Sequence, residues 1–196
     1  MTRYENMIKK TIKVLSLFAL ILGSIQAVSQ EQAAEETKDK KKQERRQFTV
    51  SNHYVHEWIE LPKLEGRKLS NGNKVVIKPK RGVVTVVMFL ASWCEKCQQL
   101  IPVIKKIEEE YKPRYTRFIY VFTHDTKSDA NGFRKTYKLG GTSILASHQI
   151  LADFKQPPLP SFIISDRNKW LTLYIKDLNL NDVKKTEEFL KIHTAN

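Results

Sequence analysis

The chain has 196 residues, 41% of them hydrophobic, and a formal net charge of +13, which is enough for one domain with a real core plus flanking segments. The positive charge is spread over an N-terminal set (Arg3, Lys9, Lys10, Lys13), a second cluster (Lys38, Lys40, Lys41, Lys42, Arg45, Arg46) and positions that alternate with Glu and Asp. With no aromatic-rich basic stripe and no helix-turn-helix signal, such charge does not make a nucleic-acid site.

The first residues have the grammar of an export signal. Lys9, Lys10 and Lys13 precede an uncharged apolar segment, Val14 to Ile25, and Ala27 and Ser29 are spaced as an Ala-x-Ser cleavage site before Gln30. About a dozen apolar residues fall short of the roughly 20 that span a bilayer. A cleaved signal over residues 1–29 is the expectation, with an uncleaved anchor at residues 14–25 as the alternative. Residues 30–47 are almost wholly Glu, Gln, Lys, Arg, Asp and Ala. They offer nothing large and apolar to bury and read as a charged, disordered linker. The folded domain is expected over residues 48–196, in an exported, periplasmic protein.

Within it, Trp58 to Leu61 and Lys74 to Ile77 read as short strands, with turn chemistry at Leu69-Ser70-Asn71-Gly72-Asn73 between them. Val83 to Leu90 is a near-continuous apolar run of the kind buried on both faces. Glu95 to Tyr111 reads as a helix, with Leu100, Ile104, Ile107 and Tyr111 on one face and Pro102 expected to kink it. Thr116 to Thr123 is another apolar strand. Ser128 to Tyr137 is a helix with Ser128 or Asp129 near its cap, and Ser147 to Phe154 a shorter one. The run Gln156-Pro157-Pro158-Leu159-Pro160 ends regular structure. Ser161 to Ser165 and Trp170 to Ile175 form a strand pair about the turn Asp166–Lys169. Asn181 or Asp182 opens a final helix reaching His193, with Val183, Phe189 and Leu190 inward. The alternation in the middle implies parallel strands under crossover helices, and the last turn an antiparallel pair. The whole is an α/β mixed sheet covered on both faces, with its sites at the C-terminal ends of the parallel strands.

Cys94-Glu95-Lys96-Cys97 follows such an end, and the chain has no other cysteine. A two-residue spacer constrains little of the unfolded chain, so the pair reads as a working dithiol rather than a staple. A helix N-terminus presents free N–H groups and partial positive charge, which stabilise a thiolate. Cys94 is placed to feel this most, as the attacking thiol. Cys97, one turn inside, is poised to resolve a mixed disulfide. Lys96 favours a thiolate and Glu95 opposes it, so both tune the thiol. Trp93 forms an apolar rim beside Cys94.

Ala91-Ser92-Trp93-Cys94-Glu95-Lys96-Cys97 with Pro102 five residues on, together with Leu159-Pro160-Ser161-Phe162-Ile163-Ile164, resembles the thioredoxin superfamily. The exported TlpA/ResA-like thioredoxins look most similar, through the signal, the Leu69–Ile77 hairpin and His124-Asp125 before a helix. The resemblance covers roughly Trp58 to His193. It implies a thioredoxin-like mixed sheet flanked by helices, with an N-terminal β-hairpin extension. It also implies a cis peptide bond at Pro160 in the substrate groove and a backbone at Leu159 that pairs with a bound chain. No cofactor is implied beyond the Cys94–Cys97 disulfide. The partners implied are cysteine-containing exported proteins and a membrane electron donor, for a monomer that acts as a reductase.

Two departures stand out. Met88 occupies the position of thioredoxin's buried acid, and Leu100 that of a glutamate in ResA-type reductases. Metal binding is a rival reading: copper(I) accepts two thiolates, and His124 or His148 could assist. Yet structural zinc usually needs four ligands, and the spacing of His124 is not that of copper-delivery members. A non-redox binding module on the same fold is the other rival.

Overall fold

The computed structural model describes residues 50–51, 54–55 and 59–194. The expected export signal (1–29), the linker (30–47) and Trp58 lie outside the described residues. The strands are β1 (Val50–Ser51), β2 (Tyr54–Val55), β3 (Leu64–Lys68), β4 (Lys74–Ile77), β5 (Val84–Leu90), β6 (Thr116–Phe122), β7 (Thr142–Ala146), β8 (Ser161–Ser165) and β9 (Leu171–Ile175). The helices are α1 (Glu95–Tyr111), α2 (Lys127–Thr136), α3 (His148–Asp153) and α4 (Leu180–Thr194).

One nine-stranded mixed sheet runs in the order β1-β2-β9-β8-β5-β6-β7-β3-β4. β5, β6 and β7 are mutually parallel, as the crossovers α1 and α2 require. β8 runs antiparallel to β5, with Phe89 opposite Ser161. β9 pairs antiparallel with β8, and β3 with both β7 and β4.

The alternation of side chains along β5 divides the core. Val84, Val86, Met88 and Leu90 face one cluster, packed under Leu100, Ile101, Ile104 and Ile107 of α1, Phe133 of α2 and Leu190 of α4. Val87 and Phe89 face the other, against Leu64 of β3, Ile150 of α3 and Phe154. All seven β5 residues are buried, which is why this strand reads as an unbroken apolar run rather than an alternating one.

Several boundaries differ from expectation. β7 has no strand signal distinct from its surroundings, since Gly140-Gly141-Thr142-Ser143 reads as loop. It forms because α2 returns the chain beside β6, where Ile119 to Phe122 supply a parallel edge. Of the strand expected at Trp58–Leu61, the described residues 59–61 hold one bridge, Glu60 with Trp170. The hairpin's first strand is β3 instead, and the turn from Leu69 to Asn73 joins it to β4 as the turn residues indicate. There Gly72 has φ +76°, and its N–H bonds the Lys68 carbonyl at 2.7 Å. Gly66 lets β3 approach β7, because a Cβ would strike the Leu145 carbonyl oxygen. The cap of α2 is Thr126, whose hydroxyl accepts from Asp129 N–H at 3.2 Å. Likewise, Asn179 takes the role expected of Asn181 or Asp182. Its side-chain oxygen accepts from the N–H of Asn181 at 2.9 Å and of Asp182 at 3.2 Å.

Candidate active site

The site is assembled from three loops at one sheet edge. β5 ends at Leu90, and Ala91 to Trp93 carry the chain to Cys94, the N-cap of α1 with φ −80° and ψ 100°. Because Phe89 pairs with Ser161, the residue before Ser161 lies at this same edge. That residue is Pro160, buried, with a cis Leu159–Pro160 bond. The loop between β9 and α4 completes the edge, since Leu178 N–H donates to the Pro160 carbonyl at 2.8 Å.

Cys94 and Cys97 form a disulfide. The two residues differ in exposure: Cys97 is 0% exposed and Cys94 7%. The Cys94 Sγ accepts from the Cys97 N–H at 3.1 Å. This is one of the otherwise free donors of the helix N-terminus. Both cysteines belong to the apolar cluster under α1.

A second set of bonds fixes the approach to Cys94. Asp125, just after β6, accepts from the Ser92 N–H at 2.9 Å and from the Ser92 hydroxyl at 2.5 Å. Gln98 on α1 donates its side-chain N–H to the Ser92 carbonyl at 2.8 Å. Ser92 is thus held from both sides. Trp93 is 62% exposed, and its indole N–H reaches the His124 carbonyl at 3.4 Å. It stands out of the surface as a rim rather than packing inward. Leu159 is half-buried and packs against both clusters.

The tuning pair separates. Glu95 is exposed in the first turn of α1. Lys96 is bonded to Asp177 of the β9–α4 loop, Nζ to Oδ1 at 2.6 Å and to its carbonyl at 3.3 Å. His124 and His148 are both exposed. Among the described residues no group of three or more His, Cys, Asp or Glu could hold a metal ion.

Met88 and Leu100 are both buried in the cluster that holds the cysteines, so neither place supplies a carboxylate. The chain does bury an acid elsewhere. Glu108, 2% exposed, accepts from the Tyr120 hydroxyl at 2.8 Å and the Gly140 N–H at 3.2 Å. It lies about three turns along α1 from Cys97, roughly 16 Å by helix rise, too far to take a proton from that thiol. Burial, with Glu108 beside it, pushes the Tyr120 hydroxyl well above its ordinary range.

Sequence reasoning missed Ser92, Asp125, Gln98, Asp177 and Glu108. Asp125 had a usable signal: it follows a parallel strand adjacent to the one that delivers Cys94, so both reach the same edge. Asp177 had none, since its partner lies 81 positions away. Glu108 sits at a charged-looking stretch, Ile107-Glu108-Glu109-Glu110, where only packing tells the buried carboxylate from its exposed neighbours.

The thioredoxin family model matches residues 68–134, which includes the cysteine pair. The chain is 26% identical over 135 residues to the thioredoxin-like protein YneN of Bacillus subtilis, covering 68% of this chain and 76% of that one. It is 24% identical over 121 residues to the thiol-disulfide oxidoreductase ResA of Bacillus thuringiensis, covering 61% and 69%. Among solved structures, a thioredoxin-family thiol:disulfide interchange protein from Chlorobium tepidum superposes with a TM-score of 0.62 at 15% identity, over 71% of this chain and 98% of that one. The thioredoxin domain of an oxidoreductase from Bacteroides vulgatus gives 0.59 at 20%, over 68% and 96%. The fold is the thioredoxin fold, and the stretch that carries the cysteine pair is similar to thioredoxin-family proteins. The proteins it is similar to in sequence include thiol-disulfide oxidoreductases named ResA.

Proposed function

We propose that this protein is an exported thiol–disulfide oxidoreductase that reduces disulfides in other exported proteins. One observation carries the reading. A slightly exposed Cys94 and a fully buried Cys97 share a disulfide at a helix N-terminus, beside a cis-proline loop. The relatives named for thiol–disulfide exchange support it, and so does the signal-like pattern of residues 1–29.

In the reduced protein the Cys94 thiolate attacks one sulfur of a substrate disulfide. A Cys94–substrate disulfide forms, and the other substrate sulfur leaves as a thiolate that takes up a proton. Cys97 then loses its proton and attacks the Cys94 sulfur. The second substrate thiolate leaves, and Cys94–Cys97 closes. Two electrons pass to the substrate, and a dithiol donor must return them. Trp93, Leu159 and Pro160 border the place where the substrate chain lies. The exposed Trp93 offers an apolar rim, and the backbone of Leu159 a partner for an extended segment. Glu95 and Lys96 set the charge around the attacking sulfur.

The direction follows from how strongly the thiolate is stabilised. Strong oxidants on this chemistry have a heavily stabilised reduced form. Here the Cys94 sulfur receives one N–H, from Cys97, while the ammonium of Lys96, the residue between the cysteines in sequence, is bonded to Asp177. That restrained stabilisation favours a reducing couple.

Two measurements test the proposal. Reduced protein should accelerate insulin reduction by a dithiol, and Cys94→Ser with Cys97→Ser should abolish this. Equal rates with the double variant would sink the redox reading. Equilibration with glutathione should give a potential well below about −120 mV, the range of strong oxidants. A value at that level would reverse the direction.

A further inference from the structure

Lys96 and Asp177 join two walls of the site that are far apart in sequence. Lys96 sits in the first turn of α1 between the cysteines. Asp177 sits in the β9–α4 loop with φ 54°, next to Leu178, whose N–H holds the Pro160 carbonyl. The lysine makes two bonds to this one residue, 2.6 Å to the carboxylate and 3.3 Å to the carbonyl. Side chains on a helix lean toward its N-terminus, so an uncommitted Lys96 would lean over the N-cap, where Cys94 lies. The contact to Asp177 ties the ammonium to the β9–α4 loop instead.

We propose that Asp177 is a positioning residue for Lys96, holding its ammonium off the Cys94 sulfur and so keeping the attacking thiol less acidic than an unrestrained Lys96 would make it. This rests on the redox reading of Cys94 and Cys97. The other charged groups around the site are already placed. Glu95 is exposed on the same turn. Asp125 is engaged by the Ser92 N–H and hydroxyl. Exposed His124 lends its carbonyl to Trp93. Lys176 lies over the Tyr174 ring at 5.3 Å. Lys96 is therefore the charge whose position one neighbouring carboxylate decides.

The effect is that of an exposed ion pair, with 40% and 65% side-chain exposure, so it is modest. Releasing Lys96 should change the thiolate population about threefold, which is about half a pH unit. The test is the pH profile of Cys94 alkylation by iodoacetamide in the reduced full chain, where Cys97 is shielded by burial. Asp177→Asn suits the left-handed backbone, which asparagine tolerates, and its exposed site leaves the fold intact. It should lower the midpoint by about half a unit, and Lys96→Gln should raise it. In the Lys96→Gln background, Asp177→Asn should cause no further shift. An unmoved midpoint in Asp177→Asn overturns the proposal. So does an equal shift in both backgrounds, which would make Asp177 a direct field rather than a positioning group. Insulin turnover is read separately. A protein that shows the coupling but no turnover loses the redox reading, while one that turns over without the coupling loses only this inference.

Discussion

Helix α1 carries two polar centres of opposite kind. At its first turn a disulfide sits at a helix end, with one backbone donor aimed at the Cys94 sulfur and Cys94 slightly exposed. About three turns on, Glu108 is buried among Tyr120 and Gly140, with its second oxygen lacking a hydrogen-bond partner. The first centre has free helix N–H groups, which favour charge and chemistry. The second ties α1 to β6 and to the loop before β7, and has no reacting neighbour. A polar group's place along one helix thus divides chemistry from structure, and substitutions at the two places should separate cleanly.

The largest effect is expected at the first turn. Cys97→Ser should trap mixed disulfides at Cys94 and drop insulin turnover to background. Its thermal stability in the reduced form should be nearly unchanged; a large loss there would mean that Cys97 is mainly a packing residue. At the third turn the pattern inverts. Glu108→Ala strands the Tyr120 hydroxyl and the Gly140 N–H, and should cost about 3 kcal/mol in urea unfolding. The alkylation midpoint of Cys94 should stay put, and a shift in it would show that the two centres are coupled after all.

Next comes alkaline pH. Burial pushes the Tyr174 hydroxyl up to about 12, from 10. The folded state therefore holds this proton after the unfolded chain has released it. Stability is full below pH 10 and falls as pH rises from 10 toward 12, by about 2–3 kcal/mol at the end of that window. Tyr120, raised further in the same direction, adds to the loss. Tyr174→Phe should flatten the fall in a pH series of melts, and an unchanged slope would assign the loss to other groups. The smallest effect belongs to the second crossover. Thr126→Ala removes the cap of α2 and should cost about 1 kcal/mol, with no change in turnover.

Much of the architecture was legible in the chain. The apolar run of β5 announced a strand buried on both faces, and the 3.6-residue spacing of Leu100, Ile104 and Ile107 announced the helix after it. Cys94 and Cys97 declared a dithiol by spacing alone, and the Asn71-Gly72 turn lay where the hairpin reverses. Other features lay outside the reach of local pattern. β7 exists because β6 offers it an edge. The first hairpin strand shifted to Leu64–Lys68 because Gly66 admits close pairing with β7.

The sequence by itself determined that two thiols stand at a helix start after a buried strand, because period, polarity and spacing are local properties. The tertiary structure decided what surrounds them. It set Pro160 at the same sheet edge through the register of β8, gave Ser92 to Asp125 and Lys96 to Asp177, and kept the buried acid three turns away. Those outcomes depend on which distant segments the sheet brings side by side, and no local pattern encodes the distance between residues 96 and 177.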